Sequence, residues 1–338
     1  MPKVRVNDIE MYYEIHGKGT PLVHIGGLAG DARTWMRQIE HLAQHFQVLS
    51  FDNRGTGRTD CPDRPYSTKL FADDTVGLMD AVGIERAHIY GISMGGGIVQ
   101  EIAINHPHRS LSLVINCSFA KMDRYGARVT ENIMNVYKAQ GPHEAARHMT
   151  LFCYTLPYFN THKDEIDTKE KSIGDAQRPA HAFIRSTEAC IGHDARSRLN
   201  QIKVPTLVNC GSEDSWCSVG CSQELARLIP GAKLKLYPNS SHFFLNEHFD
   251  QSMADIIAFL SSVKVPVDKV AEAITARCTV QRSLDVRFGS KADIARDQLN
   301  VRFTPKSGHR NSVAECPLCA KSRHQSAPAD CYFSPPDP

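Results

Sequence analysis

Ser93 stands at the centre of Gly91-Ile92-Ser93-Met94-Gly95, with further glycines at Gly96 and Gly97. A serine hydroxyl is a poor nucleophile near neutral pH. To attack a carbonyl carbon it needs a base within hydrogen-bond reach and a carboxylate that orients the base. Both residue types lie downstream. Asp214 closes Gly211-Ser212-Glu213-Asp214, with Glu213 as its nearest competitor, and His242 follows Pro238-Asn239-Ser240-Ser241. A serine, a carboxylate and a histidine together suit nucleophilic acyl transfer, in which the serine carries the acyl group until water releases it.

A G-x-S-x-G pentapeptide alone also describes a flexible glycine loop, so the elements around it decide its meaning. Val4 to Val6 and Met11 to Ile15 alternate like two antiparallel strands, with Asn7-Asp8 as turn residues. Short apolar runs then alternate with helical stretches. Leu22–Ile25, Val48–Phe51, Ala87–Tyr90 and Leu111–Ile115 read as buried strands; Thr34–His45, Leu70–Val82 and Met94–Asn105 read as helices. This βαβα series predicts an α/β fold, a mostly parallel, doubly wound sheet with helices on both faces. Ser93 falls on a sharp strand-to-helix turn. Glycines two positions to either side remove Cβ atoms that such a turn would bring into collision.

From Phe119 to about Asn200 the strand pattern gives way to polar helical sequence with aromatic residues at Phe152, Tyr154, Tyr158 and Phe159. Strands resume at Thr206–Cys210 and Lys233–Tyr237, with helices around Gln223–Ile229 and Ser252–Ser261. The spacing predicts a core of residues 1–118 and 201–263 interrupted by a helical cap over 119–200. In a parallel sheet the loops bearing Ser93, Asp214 and His242 all lie at the carboxyl edge. Residues 264–338 lose every apolar period. They contain the near-repeat VRFGSK and VRFTPK and end rich in Pro and Ser, which predicts a weakly ordered or disordered tail.

Residues from the N-terminus to about Val263 resemble the α/β-hydrolase superfamily. Asp52-Asn53-Arg54-Gly55-Thr56-Gly57-Arg58-Thr59, Gly91-Ile92-Ser93-Met94-Gly95-Gly96 and Ser241-His242-Phe243 are similar to the group of 3-oxoadipate enol-lactonases, small-molecule esterases and cofactor-free haloperoxidases. The resemblance implies an α/β-hydrolase fold with Ser93 as nucleophile, His242 as general base and Asp214 as its acid, since Gly211 followed three positions later by aspartate matches the family pattern. It also implies that the backbone N–H groups of Leu28 and Met94 form the oxyanion hole. The aromatic residues of the cap, Phe152, Tyr154 and Tyr158, are expected to line the substrate pocket. Two positions depart from the pattern. The family usually has His-Gly after the third strand, where this chain has Ile25-Gly26-Gly27-Leu28 with His24 two places early, and Ser241 stands where glycine is commoner before the histidine. The tail resembles translated repeat elements appended to bacterial reading frames.

The implied activity is hydrolysis of a small carboxylic ester or lactone, with no metal or organic cofactor. The same residues also serve C–C bond hydrolysis and perhydrolysis, and a small-molecule receptor with slow turnover is a reading from another class. Serine at position 93 argues against a dehalogenase or epoxide hydrolase, which use aspartate there. Arg124, Arg128, Arg147 and Arg185 of the cap are candidates to hold a substrate carboxylate, although long charged side chains usually remain solvated.

Composition agrees with a folded globular protein. Of 338 residues, 41% are hydrophobic and 22% charged, and 39 basic against 37 acidic residues leave +2, so nothing in the balance asks for nucleic acid or an anionic membrane. Eleven cysteines, an odd number and most of them far apart, and a strand-like N-terminus without a long apolar run point to a reduced cytoplasmic setting. Cys316-Pro317-Leu318-Cys319, near His309 and His324, has the spacing of half a zinc site but lacks a second cysteine pair, so no metal is expected there. Arg54 with Gly55 and Gly57 matches neither a P-loop nor a dinucleotide fingerprint and reads as a structural turn. The oligomeric state leaves no mark in the sequence.

Overall fold

The computed structural model describes residues 2–176 and 178–264. The tail expectation, the half zinc site and four of the cysteines therefore lie outside the described residues, apart from Lys264 at the tail's first position. Eight strands form one sheet: β1 (Lys3–Val6), β2 (Ile9–His16), β3 (Pro21–Ile25), β4 (Gln47–Phe51), β5 (Ala87–Ile92), β6 (Ser110–Asn116), β7 (Thr206–Gly211) and β8 (Lys233–Tyr237), in the spatial order β1-β2-β4-β3-β5-β6-β7-β8. The first two pairings, β1 with β2 and β2 with β4, are antiparallel; every pairing from β4 to β8 is parallel. The middle strands β5, β6 and β7 are buried along their whole length, as the continuous apolar runs require of a sheet covered on both faces.

Helices α1 (Met36–Leu42), α2 (Thr68–Ala81) and α3 (Met94–Asn105) separate the first parallel strands. The helix expected over Thr34–His45 is shorter than its pattern: Ala32–Trp35 forms a 3-10 turn, capped by Asp31 accepting from the Arg33 N–H at 3.0 Å, before α1 begins. Five helices lie between β6 and β7: α4 (Arg124–Gln140), α5 (Pro142–Cys153), α6 (Leu156–Thr161), α7 (Lys163–Asp175) and α8 (Ala180–Ile191). A bridge between Lys121 and Asp194 closes the base of this insertion. After β7 come α9 (Val219–Leu228), α10 (Phe244–Glu247) and α11 (Phe249–Ser262).

The Arg54 turn is structural. Its guanidinium is fully buried and forms hydrogen-bonded pairs with Asp74 at 2.7 and 2.8 Å and with Asp8 at 2.8 and 3.2 Å. It ties the turn after β4 to α2 and to the β1–β2 hairpin.

Candidate active site

The parallel strands present four loops at one edge of the sheet: Gly26–Leu28 after β3, Ser93 after β5, Asp214 after β7 and His242 after β8. Ser93 has φ 55° and ψ −119°, a conformation that a non-glycine residue adopts only when its surroundings dictate it. A Cβ on Gly91 would lie 2.4 Å from the Gly95 carbonyl oxygen, and one on Gly95 would lie 2.4 Å from that of Ile25. Both glycines of the pentapeptide are therefore required for β5 to pass directly into α3. Two hydrogen bonds hold the turn: the Ser93 N–H donates to the Asn116 carbonyl at 2.9 Å, and the Ser118 hydroxyl donates to the Ser93 carbonyl at 2.8 Å.

Asp214 and His242 meet directly. His242 Nδ1 lies 2.8 Å from Asp214 Oδ2, and the backbone N–H groups of Trp216 and Cys217 donate to Asp214 Oδ1 at 3.0 and 2.9 Å. The carboxylate is thus fixed through both oxygens. Because Nδ1 faces the carboxylate, Nε2 is the imidazole nitrogen left for the cavity that His242 shares with Ser93. The Trp216 indole lies 5.1 Å from the imidazole, centroid to centroid, and is itself anchored through a hydrogen bond to Thr130.

The loop after β3 lies against Ser93. A Cβ on Gly27 would be 3.2 Å from the Ser93 Cβ. Among the described residues, the Leu28 N–H has no acceptor, and Met94 opens α3, where N–H groups lack intrahelical partners. Gly26 takes the place of the family's histidine because Trp35 occupies the space: a Cβ there would stand 2.6 Å from the indole nitrogen. Asn53 donates to the Gly26 carbonyl at 3.3 Å, and Asp52, fully buried, accepts the Ala32 N–H at 2.9 Å. His24 is a packed strand residue, stacked on Tyr90 at 4.9 Å, with burial holding its imidazole down to about 3.

A cavity of about 20 Å³ adjoins Ser93, walled by Leu28, Trp35, Trp216, His242 and Phe243 and by Met149 and Ile173 of the insertion. Phe152, Tyr154 and Tyr158 are not in this wall. Tyr154 is buried behind it, stacked on Tyr158 at 5.3 Å and edge-on to Phe243 at 5.3 Å. The aromatic cluster backs the wall because α5 ends at Cys153, and the chain there turns toward the His242 loop. The Ser241 hydroxyl donates to the Phe152 carbonyl at 3.2 Å and the Phe243 N–H to the Cys153 carbonyl at 2.7 Å. Ser241 thus makes a bond that glycine cannot. Glu247 adds a second tie, accepting the Thr155 N–H and hydroxyl at 2.8 and 2.7 Å.

The insertion's arginines face solvent or carboxylates. Arg124 is exposed, and Arg128, Arg147 and Arg185 pair with Glu131, Glu144 and Glu188 on their own helices. The residues missed by sequence reasoning, Trp35, Met149, Ile173, Trp216 and Glu247, carry no motif. Only the scarcity of tryptophan, two in the chain, could have singled out Trp35 and Trp216. Among the described residues, no cluster of three His, Cys, Asp or Glu side chains could hold a metal ion, the seven cysteines are free, and no helix is long and apolar enough to cross a membrane.

Known proteins share this arrangement of elements. A protein of Azorhizobium caulinodans named "Putative carbamate hydrolase RutD" is 34% identical over 249 residues, covering 72% of this chain and 92% of its own. The crystal structure of the enol-lactonase from Burkholderia xenovorans LB400 superposes with a TM-score of 0.72 at 27% identity, over 77% of this chain and 100% of its own. Est816, described as an N-acyl homoserine lactone degrading enzyme, does so with a TM-score of 0.67 at 26% identity, over 76% of this chain and 100% of its own. The family model for the alpha/beta hydrolase fold matches residues 20–249. With that match spanning the strand-turn-helix of Ser93 and the loops of Asp214 and His242, the chain belongs to the α/β-hydrolase family.

Proposed function

We propose that the protein is a serine hydrolase that cleaves a small carboxylic ester or lactone through an acyl-enzyme on Ser93. The observation that carries the reading is the 2.8 Å contact between His242 Nδ1 and Asp214 Oδ2 at a cavity shared with Ser93. His242 Nε2 takes the Ser93 proton as Oγ bonds to the substrate carbonyl carbon, and Asp214 stabilises the imidazolium that results. The Leu28 and Met94 N–H groups hold the oxyanion, an interaction realised only in the tetrahedral intermediate. Its collapse breaks the bond to the alkoxy oxygen, which leaves with the proton from Nε2. Water then gives a proton to Nε2 as its oxygen bonds to the acyl carbon, and collapse of this second adduct breaks the bond to Ser93 Oγ, which recovers the proton from Nε2 as the acid leaves. None of these steps calls on a cofactor.

The insertion over 119–200 acts as the cap. Met149 and Ile173 roof a space of about 20 Å³, room for roughly one water, so a substrate enters only when these walls part. A carbamate is a second substrate class. It is favoured by the likeness to the relative named for carbamate hydrolysis, and acyl transfer from a carbamoyl carbon uses the same groups. A screen of p-nitrophenyl esters, lactones and carbamates of varied acyl length and charge, with Ser93→Ala as control, tests the reading. Turnover of an ester or lactone that the variant loses supports it; carbamate turnover alone moves the substrate class; turnover undiminished in the variant overturns it.

A further inference from the structure

Resting on the serine-hydrolase reading, we infer that Lys169 and Arg178 of the helical insertion are positioning residues for the loop that carries the Leu28 oxyanion donor. Arg178 Nη1 donates to the Ala29 carbonyl at 2.7 Å and Nη2 to the Ile173 carbonyl at 3.1 Å. Lys169 Nζ donates to the Thr34 carbonyl at 2.7 Å. Two cations from the insertion thus bond to two carbonyls of one segment, just after Leu28 and just before Trp35.

Both cations stand apart from the insertion's paired arginines. Arg128, Arg147 and Arg185 are paired with carboxylates, whereas neither Lys169 nor Arg178 has a carboxylate oxygen within 4.0 Å among the described residues. Burial pushes the Lys169 ammonium down to about 8 and lowers Arg178 from its ordinary value. Both side chains are half-buried, and a partly desolvated cation without a counter-ion opposes folding, so its hydrogen bonds are its visible use. A charged donor to a carbonyl makes a stronger and shorter bond than a neutral one.

The place where those bonds fall explains why strength is needed. Ala29 has φ 70°, a left-handed conformation that a non-glycine residue keeps only when held. The sheet side of the segment is anchored by Asn53 on the Gly26 carbonyl and Asp52 on the Ala32 N–H. No bond from the sheet reaches the Ala29 carbonyl among the described residues; Arg178 supplies that one. Arg178 also grips Ile173, which roofs the Ser93 cavity, so one side chain couples the cap wall to the oxyanion loop. Closure of the cap therefore sets the donor in place for the developing charge. Loss of either cation should lower kcat and leave KM, because the donor acts on the tetrahedral intermediate more than on bound ester.

The test compares wild type, Arg178→Gln, Arg178→Lys, Lys169→Met and Ser93→Ala in the full chain. It reads kcat and KM on p-nitrophenyl acetate and the Ki of phenylboronic acid, which mimics the tetrahedral adduct on serine. Expected are a kcat lowered about tenfold to a hundredfold in Arg178→Gln, as a small misplacement of a catalytic group costs. KM should stay within about twofold, the boronate Ki should rise in parallel with the loss of kcat, and Arg178→Lys should recover part of it. Unchanged kcat in both Arg178→Gln and Lys169→Met overturns the inference. So does a raised KM at constant kcat, which would make the cations substrate ligands. If Arg178→Gln does not fold, Lys169→Met and Arg178→Lys are judged by the same two criteria. A wild type that neither turns over the ester nor binds the boronate overturns the hydrolase reading and this inference together; one that does both, with unaffected variants, overturns the inference alone.

Discussion

Glu247 accepts the backbone N–H of Ser241 through Oε2 at 2.5 Å, one residue before His242, while its Oε1 takes Thr155 of the insertion. A single carboxylate on α10 thus fixes the His242 loop to the cap. In Glu247→Gln one of the two positions becomes an amide nitrogen that cannot accept, leaving a backbone N–H unpaired at a cost of about 1–3 kcal/mol. The expected outcome is a lowered melting temperature with kcat reduced several-fold and KM little changed. Wild-type values of both would show that the loop holds itself.

Asp214 makes three hydrogen bonds, and in the proposed mechanism only the one to His242 concerns the reaction; those from Trp216 and Cys217 hold the carboxylate. Asp214→Asn keeps an acceptor oxygen for one set and offers an N–H to the other, which favours the wrong imidazole tautomer. Turnover should fall on the order of 10³–10⁴-fold. Glu213→Gln should retain turnover, because Asp214 is the acid in contact with the imidazole; a reversed result would exchange their roles.

Lys169 titrates in an accessible window. Burial brings its folded value down to about 8, whereas a lysine in an unfolded chain holds its proton to about 10.4. Between those values the unfolded chain binds more protons than the folded one, so this group's contribution to stability grows with rising pH and is lost as pH falls through 8. Below that, both states are charged and the burial penalty is constant. The melting temperature of wild type minus that of Lys169→Met should therefore climb from pH 8 toward pH 10. A difference that stays flat contradicts the desolvation of the ammonium.

Arg54 is buried with Asp74, which is 2% exposed at its side chain. Removing one member of a buried, hydrogen-bonded pair leaves the other charge uncompensated, typically at about 3–5 kcal/mol. Arg54→Met should lower the melting temperature sharply, and adding Asp74→Leu should restore part of the loss, which chemical denaturation can measure. A neutral single substitution would refute the structural role of this turn.

The parts of the site that follow from backbone necessity were legible in the sequence. The helix expected over Met94–Asn105 and the strand over Lys233–Tyr237 have those same bounds in the structure, because glycine spacing, apolar runs and prolines act locally. The edge of the sheet at which Ser93, Asp214 and His242 gather follows from parallel pairing alone. The cap resisted such reading. Its helices have apolar faces, but which face meets the core depends on contacts far apart in the chain, such as Thr155 with Glu247 and Lys169 with Thr34. Phe152 and Tyr154 looked like pocket residues by type. Their position at the end of α5 gives them other work: the Phe152 carbonyl receives the Ser241 hydroxyl, and the Tyr154 ring supports Phe243. The short helix α10 carries no period at four residues, so Glu247 left no signal either.

The central claim is a covalent acyl intermediate on Ser93. The most direct measurement is peptide mapping by mass spectrometry after the full chain is mixed with p-nitrophenyl acetate and quenched in acid within the first turnovers. An acetyl group on the peptide containing Ser93, absent in Ser93→Ala, is the predicted result. Continued release of p-nitrophenol with no adduct on Ser93, or with the adduct on another residue, would contradict the account.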